Sequence, residues 1–233
     1  MLPLQSLESK FSDIQKRIRI SASLSGRTEK DIQFIAVTKG LALAAWEYSL
    51  QLSLQCIGES RIQEIIKKST YGHLRDKIEL HLIGRLQSNK TRKAVYLTDV
   101  IQTVDSIKLA KQIDTIACET EKKQRIYLQV NIGKDPKKTG FNPSDVLPSA
   151  EIISALYNVK IEGIMTIPPR GLSRPNLQQL YAETRKIRDK VKQKITPECS
   201  FLSMGMSNDY ETAIIEGSTH VRIGTALFGP RAQ

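Results

Sequence analysis

The chain has 233 residues, of which 40% are hydrophobic and 25% charged, and its formal net charge is +11. That composition is typical of a soluble globular protein and excludes disordered and fibrous classes, while the length allows one sizeable core. No run of eighteen apolar residues exists, and Met1 to Lys10 lacks the basic flank and apolar centre of a secretory signal. We therefore expect a cytoplasmic protein with no membrane-spanning segment.

The positive net charge raises the question of a nucleic-acid partner, because clustered Lys and Arg displace the counterions of phosphates. The basic residues here are scattered over helix-like segments, many beside acids, with no interleaved aromatic residues for stacking bases. The pattern favours a solvated surface. A basic nucleic-acid-binding or partner-binding protein remains the alternative.

Three cysteines, Cys56, Cys118 and Cys199, lie far apart in the sequence. They form no CxxC pair, and no His/Cys cluster has metal-ligand spacing. The sequence therefore predicts neither disulfides nor a metal site.

Short β-rich runs alternate with helical stretches along the whole chain, which predicts parallel strands. Eight strands are the number that closes a β/α barrel, so we predict one α/β domain over residues 1–233, a single (β/α)8 TIM-type barrel. The predicted strands are Ile32 to Val37, Leu54 to Ile57, Leu80 to Ile83, Val100 to Val104, Ile126 to Asn131, Ile161 to Met165, Phe201 to Met204 and Val221 to Ile223. A doubly wound open sheet is the competing architecture, but no glycine-rich phosphate turn follows Val37.

Seven segments with helical spacing separate the strands, with Ser106 as the N-cap of one and Pro175 in the first turn of another. A further amphipathic segment precedes the first strand. Only Gly224 to Gln233 follows the last strand, too little for a full eighth helix. We predict that an extra N-terminal helix covers that gap.

Lys39 is the most informative residue at the carboxyl ends of the strands, where β/α barrels place their chemistry. It follows the apolar run Phe34 to Val37, which directs it into the mouth of the barrel. Burial or a neighbouring cation favours the neutral amine that attacks an aldehyde. From position alone, a lysine that only extends to solvent explains Lys39 equally well.

The loops after strands seven and eight are where barrels commonly bind phosphate. They read Met204-Gly205-Met206-Ser207 and Arg222-Ile223-Gly224-Thr225. Glycine lets backbone N–H groups approach an anion, and the hydroxyls add donors. The same residues also form ordinary turns, but with a lysine in the same mouth they suggest a phosphorylated aldehyde as ligand.

Motifs in order across nearly the whole chain resemble the pyridoxal phosphate homeostasis protein family (YggS/PROSC-like proteins). The motifs of the seventh and eighth strands are the specific ones. They are Phe34 to Lys39, Ile57 to Ser60, His81 to Lys90, Val104 to Ser106, Gln129 to Asn131, Gly163 to Pro168, Leu202 to Ser207 and Val221 to Gly229.

The resemblance implies a fold-type III barrel, similar to the N-terminal domain of alanine racemase, that binds pyridoxal 5′-phosphate (PLP). It implies a covalent imine on Lys39 and phosphate binding by Ser207, Gly224 and Thr225. It further implies that Arg222 faces the pyridine nitrogen and that Met165 and Ser60 line the ring. Two departures stand out: Ser60 replaces a usual Asn, and His220 replaces a common acid.

Arg222 and several other polar residues also have interpretations that need no cofactor. Arg222 could pair with Glu211 or Glu216. His81 could act as a general base, although a histidine on an apolar strand is more often a hydrogen-bonded structural residue. Tyr127, Tyr181 and Tyr210 could be acids or packing residues, and Lys90 is a secondary aldehyde site by proximity only.

For function, we expect a PLP carrier in cofactor homeostasis with no catalytic residue, and PLP-dependent apoenzymes as possible recipients. A weak amino-acid racemase is the alternative. Racemisation needs a second acid/base opposite Lys39, which alanine racemases take from a C-terminal domain of a partner subunit. The sequence ends at Gln233, directly after the barrel, so we expect no such domain and a monomer.

Overall fold

Eight parallel strands close into a barrel in chain order in the computed structural model, which describes residues 3–136 and 138–230. Each strand pairs with the next, and the eighth pairs with the first through Gln33–His220 to Ala36–Ile223. The predicted (β/α)8 TIM-type barrel is therefore confirmed. The strands are β1 Gln33–Val37, β2 Cys56–Glu59, β3 Glu79–Leu82, β4 Val100–Val104, β5 Gln124–Val130, β6 Val159–Thr166, β7 Phe201–Met206 and β8 His220–Ile223.

Helices connect all consecutive strands and form the outer layer. As predicted, Ser106 caps one of them by accepting a hydrogen bond from the Leu109 N–H at 3.2 Å, and Pro175 lies in the first turn of another. The helices are α1 Leu4–Leu24, α2 Ala44–Gln51, α3 Ile62–Ser69, α4 Gly72–Arg75, α5 Thr91–Leu97, α6 Ile107–Glu119, α7 Val146–Ser154, α8 Arg174–Lys194, α9 Tyr210–Ile215 and α10 Thr225–Phe228. No helix within the described residues combines the length and apolarity needed to cross a bilayer.

Helix α1 completes the outer layer where the chain after β8 forms only the short α10. Its apolar stripe is buried, and the Phe11 ring packs edge-on against Phe34 of β1 with ring centroids 5.6 Å apart. Arg17 of α1 also forms an ion pair with Glu211 of α9. The prediction that the N-terminal helix covers this gap is confirmed.

Side chains of β1 alternate between the barrel interior and the layer beneath the helices, as a strand period of two requires. Phe34 and Ala36 join the large core under the helices, whereas Ile35 and Val37 pack with Cys56 inside the barrel. Continued for one more step, the inward series reaches Lys39. The strand therefore directs this lysine toward the mouth of the barrel.

A buried ion pair anchors the residue that precedes Lys39. Behind β1 and β2, the Lys68 ammonium donates to Glu59 Oε1 at 2.6 Å and to the Thr38 carbonyl at 3.0 Å. The Thr38 hydroxyl donates to the same carboxylate oxygen at 2.6 Å, and the Trp46 indole donates to it at 3.2 Å. Both charges are almost fully removed from water, so each depends on the other.

We predict that Lys68→Met lowers the free energy of unfolding by roughly 3–5 kcal/mol, because it leaves the Glu59 carboxylate buried without its cation. Urea unfolding followed by circular dichroism measures the change. Lys67→Met is the matched control, since Lys67 lies on the same helix but is exposed, and we expect it to change stability by less than about 0.5 kcal/mol.

Combining Lys68→Met with Glu59→Gln removes both charges, and we expect the double variant to be more stable than Lys68→Met alone. Equal stability of Lys68→Met and Lys67→Met would show that breaking the Lys68–Glu59 ion pair has no cost, which would contradict the prediction.

Candidate functional site

A cavity of about 580 Å³ opens at the carboxyl ends of the strands. The residues that line it come mainly from the end of β1, the loop after β6 and the segments after β7 and β8. Five of the seven residues predicted from sequence are among them: Lys39, Ser207, Arg222, Gly224 and Thr225. The structure thus brings the amine and both predicted loops to one cavity.

Lys39 is half-buried at the rim of the barrel, with Val37 and Leu41 beside it in the cavity wall. The backbone here is held by the Thr38 N–H, which donates to the Gly58 carbonyl at 3.1 Å. Thr38 is also held by the Lys68–Glu59 pair. The position of the Lys39 backbone is therefore set by a strand end that is held on both sides.

The Ser207 hydroxyl lies where three donors converge. The backbone N–H groups of Gly224 and Ala226 point at its oxygen from 3.3 and 3.2 Å, and the Thr225 hydroxyl is 3.4 Å away. A side chain at Gly224 would crowd Val37, whose carbonyl oxygen lies 3.1 Å from the position of a Cβ. This cradle of N–H and O–H groups, open to the cavity, suits an anion.

Gly205 shapes the turn that carries Ser207. Its φ of +92° lies in the region that favours glycine, and a Cβ there would lie 2.6 Å from Ala213 Cβ. Further along the turn, the Asp209 carboxylate accepts a hydrogen bond from the Met206 N–H at 2.5 Å. The cradle therefore depends on one glycine and one local carboxylate.

Arg222 is 4% exposed and lies at the floor of the cavity. Its guanidinium donates to the carbonyl and hydroxyl oxygens of Ser203, both at 2.7 Å, and to the Thr166 carbonyl at 2.8 Å. Burial lowers the pKa of Arg222 to about 10. Its three hydrogen-bond acceptors are uncharged, and the Asp209 carboxylate in the same cavity interacts with it electrostatically.

The alternative that Arg222 pairs with Glu211 or Glu216 is wrong. Glu211 forms its ion pair with Arg17, and Glu216 lies against Arg185 at 3.7 Å.

A hydrogen-bond chain continues below Arg222 through the barrel interior. The Ser203 hydroxyl donates to the Gln102 side-chain oxygen at 2.7 Å, and the Gln102 amide nitrogen lies 2.7 Å from His81 Nδ1. His81 is fully buried and does not line the cavity. The structure therefore places it as a hydrogen-bonded residue of the interior, the preferred interpretation of the sequence.

His220 lies one inward position below Arg222, with its ring 2.9 Å from the Thr219 hydroxyl and 3.3 Å from the Tyr127 hydroxyl. Burial lowers the pKa of His220 to about 3, so the ring is neutral near pH 7. Ser203 and Thr166 accept the hydrogen bonds that orient Arg222. The presence of His220 in place of an acid therefore leaves these contacts intact.

Two predicted ring contacts lie outside the cavity lining. Met165 is fully buried inside the barrel against Val100 and Tyr127. Ser60 lies at the end of β2, where its carbonyl is so close to Gly84 that a Cβ there would lie 2.1 Å away. The structure does not bring either residue to the cavity surface.

The tyrosines and Lys90 are likewise absent from the lining of the cavity. Tyr127, Tyr181 and Tyr210 are buried, and burial raises the phenolic pKa of each. They therefore fit the packing interpretation. Lys90 ends a 3-10 helix, Ser88–Lys90, ahead of α5.

The sequence interpretation missed the loop after β6, which forms a large part of the cavity wall. Pro168 to Leu172 line the cavity, together with Met206 and Asn208. The Lys138 ammonium holds this loop by donating to the Pro168 carbonyl at 2.7 Å. The signal available was the Pro-Pro-Arg-Gly run directly after a strand, which marks a loop but not its direction.

Comparison with known proteins identifies the family. The family model described as alanine racemase, N-terminal domain, matches residues 13–232. The chain is 34% identical to the pyridoxal phosphate homeostasis protein of Aquifex aeolicus over 223 residues, which is 95% of this chain and 97% of that protein. It is 38% identical to the protein of the same name from Synechocystis over 200 residues, or 86% and 92% of the two chains.

The chain belongs to the pyridoxal phosphate homeostasis protein family. Among solved structures, PipY of Synechococcus elongatus with PLP bound superposes with a TM-score of 0.81 at 37% identity, over 93% of this chain and 100% of PipY. The resemblance drawn from the motifs is thus confirmed for the family and for its barrel.

For the cradle, we predict that Gly205→Ala lowers the free energy of unfolding by about 2–4 kcal/mol, because it adds both backbone strain and a clash with Ala213. Gly26→Ala is the matched control. Gly26 has a φ of +69° but open space around the position of a Cβ, so it carries the strain alone, about 1 kcal/mol. Thermal or urea unfolding of both variants tests the difference, and equal losses would contradict it.

Proposed function

We propose that this protein binds PLP in the cavity at the mouth of the barrel and holds it as a reversible imine on Lys39, in the service of PLP homeostasis in the cytoplasm. One observation carries the proposal: the Lys39 amine, the cradle at Ser207 and the Arg222 guanidinium line a single cavity. The names of the relatives and the PLP-bound structure of PipY support it.

The cradle fits the phosphate of the cofactor. Gly224 and Ala226 supply backbone N–H donors, and Ser207 and Thr225 supply hydroxyl donors, at one side of the cavity. Hydrogen bonds to a charged acceptor are about twice as strong as neutral ones. These residues would therefore contribute much of the affinity.

Lys39 would supply the covalent attachment. The neutral form of its amine would add to the aldehyde carbon of PLP, and loss of one water molecule would give the imine. The same bond is broken by water or by exchange with another amine, such as the lysine of a recipient apoenzyme. A half-buried lysine at the rim of an open cavity is accessible to both routes.

Arg222 favours holding over catalysis. It would face the pyridine nitrogen, where a permanently charged guanidinium disfavours a second proton and so keeps the ring a weak electron sink. Within the described residues, the side chains that line the cavity include no tyrosine, histidine or cysteine. The Asp209 carboxylate there is engaged by the Met206 N–H. These features support a carrier without a catalytic acid/base pair.

We predict that wild-type protein mixed with PLP shows an imine absorption band that borohydride reduces to a stable adduct on Lys39. Lys39→Ala should lose both the band and the adduct, because the amine that forms the bond is gone. Absorption spectra and mass spectrometry of tryptic peptides measure the two effects. Lys90→Ala is the control and should behave as the wild type; an unchanged band in Lys39→Ala would refute the attachment site.

We also predict that the PLP-loaded protein turns over L- and D-amino acids no faster than free PLP at the same concentration. Chiral chromatography of the products after long incubation measures this. Lys39→Ala with PLP controls for chemistry of the free cofactor. Sustained turnover by the wild type alone would replace the carrier with a racemase or lyase.

A further inference from the structure

Three potential metal ligands meet at the end of the barrel opposite the cavity. Cys56 and Glu79 are the first residues of β2 and β3, and His81 is the next inward residue of β3. The thiol sulfur, a carboxylate oxygen and an imidazole nitrogen of these residues all lie within 4.8 Å of one another. The cofactor site described above uses none of the three.

The three groups are the ones that zinc prefers. Thiolate, imidazole and carboxylate bind Zn²⁺ with bond lengths of about 2.0–2.3 Å, so tetrahedral ligands lie about 3.3–3.8 Å apart. The ligand atoms therefore need to approach one another by at most about 1.5 Å. Thiolate and imidazole also disfavour Ca²⁺ and Mg²⁺, which take oxygen ligands.

The second nitrogen of His81 independently indicates a ligand. Nε2 is buried without a well-formed hydrogen bond, and it makes only a long ion-pair contact of 3.4 Å to Glu79 Oε1, the oxygen that already accepts from Arg125. Buried polar atoms of side chains are normally hydrogen-bonded. His81 is fully buried and Cys56 is 2% exposed, so this nitrogen faces the sulfur and the carboxylate with only the long contact to Glu79 to satisfy it.

The opposite ring nitrogen has a partner that a half-turn of one side-chain amide converts into the one a ligating histidine requires. His81 Nδ1 lies 2.7 Å from the Gln102 side-chain amide, and a half-turn of that amide presents its oxygen to an Nδ1–H. Histidines that bind metals donate their other N–H to a carboxylate or carbonyl. The Ser203 hydroxyl, 2.7 Å beyond Gln102, can serve either orientation of the amide.

Neighbouring charges leave room for a cation. Arg125 donates to Glu79 Oε1 at 2.5 Å, but it also donates to Glu162 at 2.6 Å. Lys160 lies 3.5 Å from Glu162 and 3.3 Å from Glu198. Three carboxylates therefore surround two cations, and one negative charge remains. Glu79 keeps a second oxygen, and 37% of its side chain is exposed, which provides an entry path from solvent.

We propose that Cys56, Glu79 and His81 form a binding site for Zn²⁺ or a similar divalent transition metal, with a fourth position open to water. The metal displaces the thiol proton of Cys56 to solvent on binding. The site is separate from the cavity that holds the proposed cofactor and does not depend on it.

Cobalt tests the proposal directly, because a thiolate bound to Co²⁺ gives a charge-transfer band in the near ultraviolet. The full-length protein is stripped with a chelator, kept reduced and titrated with Co²⁺, then with Zn²⁺. We expect one equivalent of Co²⁺ to produce the band and Zn²⁺ to abolish it. Absence of the band in the folded wild type would overturn the proposal.

Variants assign the ligands. Cys56→Ser should remove the band, while Glu79→Gln and His81→Gln should each weaken Co²⁺ binding at least tenfold, the scale on which even a residue supporting a ligand acts. Cys118→Ser and His73→Gln are matched controls, since both residues are exposed, and should keep the wild-type titration. Circular dichroism confirms that each variant is folded. A band that persists in Cys56→Ser, or is lost in Cys118→Ser, would refute the site.

Discussion

Pairing between the first and last strands is the contact on which the rest of the molecule depends. The pairs from Gln33–His220 to Ala36–Ile223 close the sheet, although nearly two hundred residues separate the two strands. Because inward residues alternate along both strands, closure places Ile35 beside Arg222 and carries Lys39 and Gly224 to the same rim. An open sheet with the same strands would leave the amine and the anion cradle on opposite edges.

Electrostatics inside the barrel follow from that closure. Closure encloses Arg222 and gives its guanidinium three uncharged acceptors from β6 and β7. The hydrogen-bond chain through Ser203, Gln102 and His81 then connects the floor of the cavity to the charged residues at the opposite end of the barrel. A chain of polar groups therefore runs through the barrel interior among apolar side chains. The two proposed sites lie at the two ends of this chain.

The buried pair behind β1 and β2 shows how the outer layer supports the site. Lys68 and Glu59 do not line the cavity, yet both are bonded to Thr38, the residue before Lys39. A charge pair removed from water is costly to break, although its net stabilisation is small. Because the pair is bonded to the residue before Lys39, it holds the rim of the cavity in place while a ligand enters and leaves.

Much of the fold follows from patterns that act over short distances. Alternating strands and helices predict the barrel, and β4 agrees residue for residue with the predicted Val100 to Val104. Other strand ends differ by one or two residues, as for β2, where prediction ends at Ile57 and the strand ends at Glu59. β2 continues through Gly58 and Glu59 because both pair with β3. Hydrophobicity alone does not predict this, since one residue is a glycine and the other carries a charge.

The site divides in the same way. Lys39, Ser207, Gly224 and Thr225 follow strands that end in recognisable motifs, so their position at the mouth can be read from local order. Met165 lies within β6 and packs inside the barrel, and Ser60 follows β2 and lies against Gly84. Neither residue lines the cavity. The loop at Pro168 to Leu172 could not be placed, because a loop's direction depends on what it packs against.

The sequence by itself determined the family and the order of the strands, and it named Lys39 and the loops after β7 and β8 as candidates that the cavity brings together. These inferences depend on residue type and on a period of two or 3.6. Only the tertiary structure decided that Arg222 pairs with neither Glu211 nor Glu216, and that Cys56 lies close to Glu79 and His81. Those contacts join residues on different strands, and their geometry follows from the register of the closed sheet.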